Sequence, residues 1–244
     1  MPEQVAIHPT AYVVPDVEIG PGTVIGPYAV ILAPTRIGRD CWIGPHVVIG
    51  TTGEHVDDMV VHRIPPDAES LSPEELEAAL WHGSHGEGIE IGDRTIIREH
   101  TVVQQGTHRP TVVGSDCFVM DKVHIAHDCV IGDRVRITPF VSFGGHVTVG
   151  DDANLGMTTA IHQWRTIGAG VMVGMNTTIT RDAAPYTIQM GSPNRATGVN
   201  RVLLERAGHP PEEIEALAEA LRDGTEPPAA FAPAFERWEA ERRP

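Results

Sequence analysis

The sequence predicts an all-β solenoid, a parallel β-helix of hexapeptide repeats that ends in a small α-helical C-terminal tail. Three observations carry this prediction. Aliphatic residues recur at every sixth position over most of the 244 residues, and a glycine often follows them. Aromatic residues make up only 5% of the chain, which contains 25 Gly and 20 Pro. This composition suits a fold with many tight corners and small inward-facing side chains.

The repeat runs in two phases that are separated by a four-residue slip. A helical period of about 3.6 residues would lose this phase within a few turns, so the segments are not helices. Short strands and corners at a period of six are typical of a hexapeptide β-helix, in which three hexads form one coil. Residues 18 positions apart then stack at about 4.8 Å. The aliphatic positions are Ile7, Val13, Ile19, Ile25, Ile31, Ile37, Ile43, Ile49, Ile91, Ile97 and Val103, and then Val113, Val119, Ile125, Ile131, Ile137, Phe143, Val149, Leu155, Ile161, Ile167, Val173 and Ile179.

Two segments interrupt the repeat. Residues 50–90 form a long insertion, in which Ser72–Leu80 is predicted to be a short helix with Ser72 as its N-cap and Pro73 in its first turn. Residues 104–112 form a smaller bulge. Ordered insertions on a rigid scaffold are often functional, and a surface loop or an oligomer contact is the alternative.

The repeat fades after Pro185, and three helical pieces are predicted beyond it, at 200–208, at Pro210–Leu221 and at about 231–243. We therefore expect a β-helix over 1–197, with the insertion loop at 50–90, and an α-helical region over 198–244. The tail is expected to cap the open end of the solenoid and to assist oligomerisation.

The charge, the hydropathy and the N-terminal residues argue against several classes of protein. The formal net charge of −15 argues against non-specific binding of nucleic acid. No stretch approaches the roughly 20 apolar residues of a membrane span, and Met1–Gln4 lacks the basic start of a signal peptide, so a cytoplasmic protein is expected. Cys41, Cys117 and Cys129 occupy repeat positions, which favours small buried hydrophobic residues over metal ligands or disulfides.

A histidine cluster interrupts the repeat where chemistry is predicted. Adding 18 to 127 gives Gly145 and then Gln163, adding 18 to 128 gives His146, and adding 36 to 126 gives His162. These residues are expected along one edge of three successive coils, with His124 on the strand that approaches it. A corner needs Gly, Asn or Asp rather than several histidines, which favours a functional site.

His127 is the predicted catalytic base. A neighbouring carboxylate, for which Asp128 is the candidate, would fix its tautomer and support the imidazolium that forms when it takes a proton. The pair Gly144-Gly145 would expose a backbone N–H that can stabilise an oxyanion. The sequence contains no Gly-x-Ser-x-Gly elbow, which argues against a serine nucleophile.

At these residues the sequence resembles the acyl-[acyl-carrier-protein]–UDP-N-acetylglucosamine O-acyltransferase family of the lipid A pathway. The resemblance covers nearly the whole chain in order. Its motifs are Ile91-Gly92-Asp93-Arg94, Ile97-Arg98-Glu99, Val113-Gly114-Ser115-Asp116, His124-Ile125-Ala126-His127-Asp128-Cys129, Gly145-His146-Val147, Gly156-Met157-Thr158, His162-Gln163, Val171-Met172-Val173-Gly174, Pro185-Tyr186, Gly198-Val199-Asn200 and Arg206.

The resemblance implies a left-handed helix, a homotrimer with sites between subunits, and acyl transfer from an acyl-carrier-protein or coenzyme A thioester to a hydroxyl or amine of a sugar nucleotide or amino sugar. It implies no bound cofactor and no metal. It makes His127 the base, Asp128 its support and Gly145 the oxyanion donor. The substrate-contacting positions that it implies are His124, His146, His162, Gln163, Asn200 and Arg206.

The sequence also departs from the family pattern. The family's nucleotide-contacting Gln-Asp-x-Lys segment is replaced by Thr51–Asp58, which leaves the acceptor open. Met175 replaces a glycine that lets long acyl chains pass, so we expect a short or medium acyl group. An acidic carrier protein needs a basic patch on this acidic chain. Its candidates are Arg165, Arg181, Arg195, Arg201 and Arg206.

Two other functions fit the same scaffold. A zinc enzyme of the γ-carbonic anhydrase type would use three histidines with an open water position, for which His124, His127 and His146 are available. A non-catalytic trimeric scaffold would only present loops to partners. The His127–Asp128 pair and the retained Gln163, Asn200 and Arg206 favour the acyltransferase over both.

Overall fold

The computed structural model describes residues 4–32, 34–53, 70–72 and 86–242 of the chain. These residues form short strands that wind into a left-handed parallel β-helix, as predicted. The strands, numbered β1 to β25 in chain order, are Ala6–Ile7, Tyr12–Val13, Glu18–Ile19, Val24–Ile25, Val30–Ile31, Thr35–Ile37, Trp42–Ile43, Val48–Thr51, Ile89–Ile91, Ile96–Ile97, Val102–Gln104, Thr111–Val113, Phe118–Val119, His124–Ile125, Val130–Ile131, Arg136–Ile137, Ser142–Phe143, Thr148–Val149, Asn154–Leu155, Ala160–Ile161, Thr166–Ile167, Met172–Val173, Thr178–Ile179, Thr187–Met190 and Arg195–Val199.

Three sheets of ten, eight and seven strands form the faces of a prism. Pairing at a spacing of 18 residues is shown by Val130 opposite Thr148 and Ile131 opposite Val149. The repeat therefore places each aliphatic residue directly above another one. Their side chains fill the prism, and residues such as Ile43, Ile97 and Ile125 are fully buried.

Many corner residues adopt left-handed backbone conformations, and they form three vertical columns with different chemistry. The aromatic corner, between the ten- and eight-stranded sheets, consists of Tyr28, His46, His100, Lys122, Phe140, Thr158 and Asn176. The histidine corner, between the eight- and seven-stranded sheets, consists of Asp128, His146 and Trp164. The aspartate–arginine corner, between the seven- and ten-stranded sheets, consists of Asp40, Arg94, Asp116, Arg134 and Asp152.

The C-terminal end contains three helices, α1 (Arg201–Arg206), α2 (Pro211–Asp223) and α3 (Ala232–Glu241), close to the predicted positions. They build a second apolar cluster around Leu204, Leu217 and Phe231. A hairpin that the repeat pattern does not predict precedes them, because β25 returns antiparallel to β24. Helix α3 lies against the prism, where Trp238 Nε1 donates to the Thr166 carbonyl at 3.4 Å.

The predicted helix over Ser72–Leu80 lies outside the described residues apart from Ser72 itself. Cys41, Cys117 and Cys129 are free and buried, in line with the sequence prediction. Burial raises the pKa of the Cys117 thiol to about 11 and that of Cys129 to about 12, so neither is poised as a thiolate. Within the described ranges, no helix combines the length and apolarity that crossing a membrane requires.

Candidate active site

The histidine corner brings together the residues at 127–128, 145–146 and 163–164 in three successive coils. Asp128, His146 and Trp164 have φ values of 61°, 62° and 65°. Glycine, asparagine, aspartate and histidine adopt this conformation most readily, so among these three residues only the tryptophan runs against local preference. The same conformation recurs at the other two corners, so it belongs to the coil rather than to the site.

The ring of His127 is held by Asp128. Its Nδ1 lies 2.6 Å from Asp128 Oδ2, a short hydrogen bond between a side chain that is 12% exposed and a carboxylate that is 0% exposed. The contact between His127 and Asp128, for which the sequence offered Asp128 only as the candidate partner, is therefore present. Because it joins successive residues at one corner, the coil itself sets its geometry.

The Asp128 carboxylate is enclosed by donors. Its Oδ1 accepts the backbone N–H groups of Thr107, His108 and Arg109 at 3.0, 2.7 and 2.9 Å. Its Oδ2 accepts the Thr107 hydroxyl at 2.6 Å in addition to the bond with His127. Burial alone would raise the pKa of the Asp128 carboxyl. The hydrogen bonds from Thr107, from His127 and from two backbone N–H groups outweigh burial and hold this pKa well below its usual range.

The ionised carboxylate fixes the tautomer of neutral His127. A carboxylate only accepts hydrogen bonds, so the hydrogen in the 2.6 Å contact resides on Nδ1 of the imidazole. Nε2 then carries the lone pair and can act as a proton acceptor. This is the arrangement that a general base requires.

Gly145 lies directly against the basic nitrogen. A Cβ at this position would stand 2.6 Å from Cε1 and 2.7 Å from Nε2 of His127, so any side chain would displace the ring. Among the described residues, the hydrogen bonds include none from the Gly145 N–H. Proline, which lacks an N–H, occupies the same hexad position at Pro9, Pro15, Pro21, Pro27, Pro45 and Pro139. The scaffold therefore does not use this N–H, which leaves it available to an oxyanion.

His146 and Trp164 form an aromatic wall beside the dyad. Their rings stack at a centroid distance of 3.5 Å and an interplanar angle of 6°. The His146 ring meets His127 edge-on, with centroids 5.0 Å apart, and its Nε2 lies 3.7 Å from Asp128 Oδ2. The wall restricts the His127 ring on the side facing the next coil.

Three further predicted site residues lie on the same edge. His124 belongs to β14 and is half-buried, and its backbone pairs with Val102 and Ser142 on the two neighbouring coils. His162 and Gln163 are exposed, and the Nδ1 of His162 lies 3.0 Å from the Gln163 carbonyl oxygen. They are therefore available to a ligand that lies along this edge.

The remaining predicted residues lie elsewhere on the chain. Met175 precedes Asn176 on the aromatic corner and is 69% exposed. Asn200 and Arg206 line a cavity of about 580 Å³ beside the aspartate–arginine corner. The Asn200 side chain caps α1 and donates to the Gly170 carbonyl at 2.9 Å. One chain does not bring these three residues to His127.

The sequence did not single out Thr107, His108, Arg109 or Trp164. Trp164 lies 18 residues after His146, so one more step of the stacking arithmetic finds it. The other three lie in the bulge, where the spacing between stacked coils is 22 rather than 18, as Val103 opposite Ile125 shows. The four-residue slip in the repeat shows where the bulge lies, but it does not predict which way the N–H groups of the bulge point.

The histidine set of the zinc alternative is not the one that the structure gathers. In the described part of the chain, one group places possible ligand atoms within 4.8 Å of one another, and it consists of His108, Asp128 and His146. His124 and His127 are not part of it. Both Asp128 oxygens already accept hydrogen bonds, so this donor set does not fit a zinc site with three ligands and open coordination.

The chain is similar to known proteins along most of its length. The family model of bacterial transferase hexapeptide repeats matches residues 2–33 and 110–145. The model described as UDP-N-acetylglucosamine O-acyltransferase, domain 2, matches residues 182–243. An acyl-[acyl-carrier-protein]–UDP-N-acetylglucosamine O-acyltransferase from Thiobacillus denitrificans is 35% identical over 219 residues, which cover 88% of this chain and 83% of the relative.

Solved structures give the same result. UDP-N-acetylglucosamine acyltransferase from Campylobacter jejuni has a TM-score of 0.75 and 26% identity, and the match covers 91% of this chain and 78% of that one. UDP-N-acetylglucosamine O-acyltransferase from Moraxella catarrhalis has a TM-score of 0.69 and 27% identity, with 96% and 92% covered.

Proposed function

Because the chain belongs to the acyl-[acyl-carrier-protein]–UDP-N-acetylglucosamine O-acyltransferase family and is an acyltransferase, we propose that it transfers an acyl group from a thioester to a sugar nucleotide with His127 as general base. The observation that carries this proposal is the 2.6 Å bond between His127 Nδ1 and a buried, ionised Asp128. That bond leaves Nε2 as the proton acceptor, facing Gly145.

The reaction follows from these positions. The acceptor hydroxyl or amine gives its proton to His127 Nε2 while its oxygen or nitrogen attacks the thioester carbonyl carbon. The Gly145 N–H donates to the oxyanion, and a preorganised donor of this kind contributes about 3 kcal/mol to the transition state. The intermediate collapses with cleavage of the C–S bond, and the leaving thiolate takes the proton back from the imidazolium. The negative Asp128 stabilises the imidazolium in between.

The acceptor that we propose is UDP-N-acetylglucosamine or a closely related sugar nucleotide, on which the named relatives act. His124, His146, His162 and Gln163 would contact it from the histidine corner. The start of the long insertion also borders this space, because a Cβ on Gly53 would lie 2.9 Å from the Cβ of His127. The segment that departs from the family pattern thus begins against the base, which supports a role for it in choosing the acceptor.

The proposed site is shared between subunits of a homotrimer. Met175, Asn200 and Arg206 lie on other edges than His127, so a site that uses all of them needs more than one chain. With Met175 of a neighbouring subunit at the end of the acyl channel, its exposed side chain would shorten the channel. The acyl group is therefore short or medium in length.

The donor that we propose is an acyl carrier protein. A cavity of about 790 Å³ beside β25 and the C-terminal helices is lined by Arg181, Arg195, Arg201 and Arg222, which form a local basic patch on a chain of net charge −15. Such a patch favours an acidic partner. The predicted patch is only partly assembled. Arg165 pairs with Asp182 at 3.3 Å, Arg201 pairs with Glu215 at 2.6 Å, and Arg206 lines the other cavity. Arg181, Arg195 and Arg222 remain as the basic side chains that favour the acidic partner. An acyl-coenzyme A donor is the second outcome of the test below.

The test compares His127→Ala with the matched variant His46→Ala, which removes a histidine from the aromatic corner. Both are assayed with acyl carrier protein and coenzyme A thioesters of several lengths and with UDP-N-acetylglucosamine. We expect His127→Ala to lose activity while His46→Ala resembles the wild type. A folded His127→Ala variant with wild-type turnover would show that His127 is not the base.

A further inference from the structure

The bulge at 104–112 lies directly beneath the His127–Asp128 dyad. The coil that leads into the bulge pairs with the next coil at a spacing of 22 residues instead of 18, so Gln105 lies under His127. The four extra residues wrap around Asp128. Three consecutive N–H groups of this bulge, those of Thr107, His108 and Arg109, converge on Asp128 Oδ1. The Arg109 guanidinium donates through Nε to the Asp128 carbonyl at 2.9 Å. The bulge is thus built around this one aspartate.

The hydroxyl of Thr107 has a defined direction. It lies 2.6 Å from Asp128 Oδ2 and 2.8 Å from His108 Nδ1. The carboxylate is ionised and can only accept, so the single hydroxyl hydrogen points to Oδ2. The Thr107 oxygen must then accept from a hydrogen on His108 Nδ1. The resulting chain of hydrogen bonds runs from His108 through Thr107 to Asp128, where it meets the bond from His127.

We propose that Thr107, oriented by His108, is a positioning residue for the acyl transfer, because its hydroxyl holds Asp128 Oδ2 at the orientation in which it binds His127 Nδ1. This inference rests on the proposed function of His127. Thr107 does not touch the reacting atoms and acts through Asp128.

Different donors hold the two carboxylate oxygens of Asp128, and this difference distinguishes a positioning role for Thr107 from a purely structural role. Oδ1 is anchored by three backbone donors that no side-chain substitution removes. Oδ2 is held by side chains alone, and two other rings compete for it, His146 Nε2 at 3.7 Å and His108 Nδ1 at 3.9 Å. Without the Thr107 hydroxyl, Oδ2 loses one of the two side-chain donors that the described residues place within hydrogen-bond distance, and it can shift toward either ring about the anchored Oδ1.

The test uses the full-length protein and the variants Thr107→Val and Thr107→Ser. Valine keeps the shape of threonine and removes the hydroxyl, and serine restores it. We expect kcat to fall by about tenfold or more in Thr107→Val, since small misplacements of a catalytic group are costly. KM for both substrates should stay near the wild-type value, and Thr107→Ser should recover most of kcat. The downfield NMR resonance of the His127 Nδ1–H should move in the valine variant and return in the serine variant.

A second variant protects the test against misfolding of Thr107→Val. The side chain of His108 is 72% exposed, so His108→Ala should fold while it removes the donor that orients the hydroxyl. We expect a smaller fall in kcat in the same direction.

The contradicting outcomes are distinct. Wild-type kcat in both Thr107→Val and His108→Ala, or equal losses in the valine and serine variants, would overturn the positioning role. If His127→Ala also keeps full activity, it is the proposed function that fails. If His127→Ala is inactive while Thr107→Val turns over normally, only the role of Thr107 is excluded.

Discussion

The histidine corner and the aspartate–arginine corner have the same backbone conformation and the same stacking, yet they use carboxylates in opposite ways. At the aspartate–arginine corner, Arg94 binds Asp116 at 2.6–2.7 Å and Arg134 binds Asp152 at 2.8–2.9 Å, all with exposed side chains. Exposed pairs of this kind contribute little to stability. At the histidine corner, Asp128 is fully buried, and among the described residues its carboxylate is bound by N–H groups, a hydroxyl and an imidazole rather than by a guanidinium.

The difference shows what turns a structural corner into a candidate site. The bulge covers Asp128 and supplies uncharged donors, so its charge remains to act on His127 instead of being neutralised by an arginine. A glycine in the next coil then leaves room at Nε2. A buried carboxylate bound by uncharged donors and by His127, together with this space, distinguishes the site from the other two corners.

The largest expected effect on kcat comes from the same substitution, aspartate to asparagine, made at each of the two corners. Asp128→Asn removes the charge that supports the imidazolium and the acceptor that fixes the tautomer, and kcat should fall by about 10³-fold or more. Asp40→Asn changes an ion pair with Arg39 on the aspartate–arginine corner, outside the cavity that Asn200 and Arg206 line, and should leave turnover unchanged. Steady-state kinetics of both variants, with circular dichroism to confirm folding, checks this. Equal effects in the two variants would remove the distinction between the corners.

Gly145→Ala should reduce kcat by about 10²-fold, because the added Cβ would stand 2.6 Å from the His127 ring and push it aside. Pro139→Ala, at the same hexad position on the aromatic corner, is the matched control and should retain activity. A fully active Gly145→Ala enzyme would mean that the space above Nε2 is not used.

Met175→Gly extends the comparison to the aromatic corner. Removing this exposed side chain should shift the preferred acyl donor toward longer chains, by about tenfold in relative kcat/KM. Competition between thioesters of different length measures the shift, and Tyr28→Ala, lower on the same corner, should show none. An unchanged preference would exclude Met175 as the residue that limits acyl length.

The smallest effect concerns stability and pH. The pKa of Asp128 is depressed in the folded chain, so the unfolded chain binds more protons once the pH falls toward the unfolded value of about 3.9. Its contribution to the free energy of unfolding is therefore complete above that pH and is lost as the pH falls further. Denaturant titrations should show a steeper loss below about pH 4 for the wild type than for Asp128→Asn. Parallel curves would contradict the depressed pKa.

The sequence predicts the prism and much of the histidine corner because, with a strict period of six, the number of residues between two positions determines how many coils separate them. Gly145 and Gln163 follow from His127, and His146 follows from Asp128, by adding 18. The same arithmetic does not reach the donors around Asp128, since the bulge shifts the spacing to 22 and its N–H directions depend on loop conformation. It also does not predict the antiparallel β24–β25 hairpin, because the repeat ends before it.

The most direct test of the central claim is the tautomer of His127. Nitrogen-15 NMR of histidine-labelled protein, assigned with His127→Gln, reports which ring nitrogen carries the hydrogen in the neutral form. The account predicts a protonated Nδ1 and an unprotonated Nε2 facing Gly145. A neutral His127 with its hydrogen on Nε2 would contradict it, because that nitrogen could not then accept the proton of the acceptor.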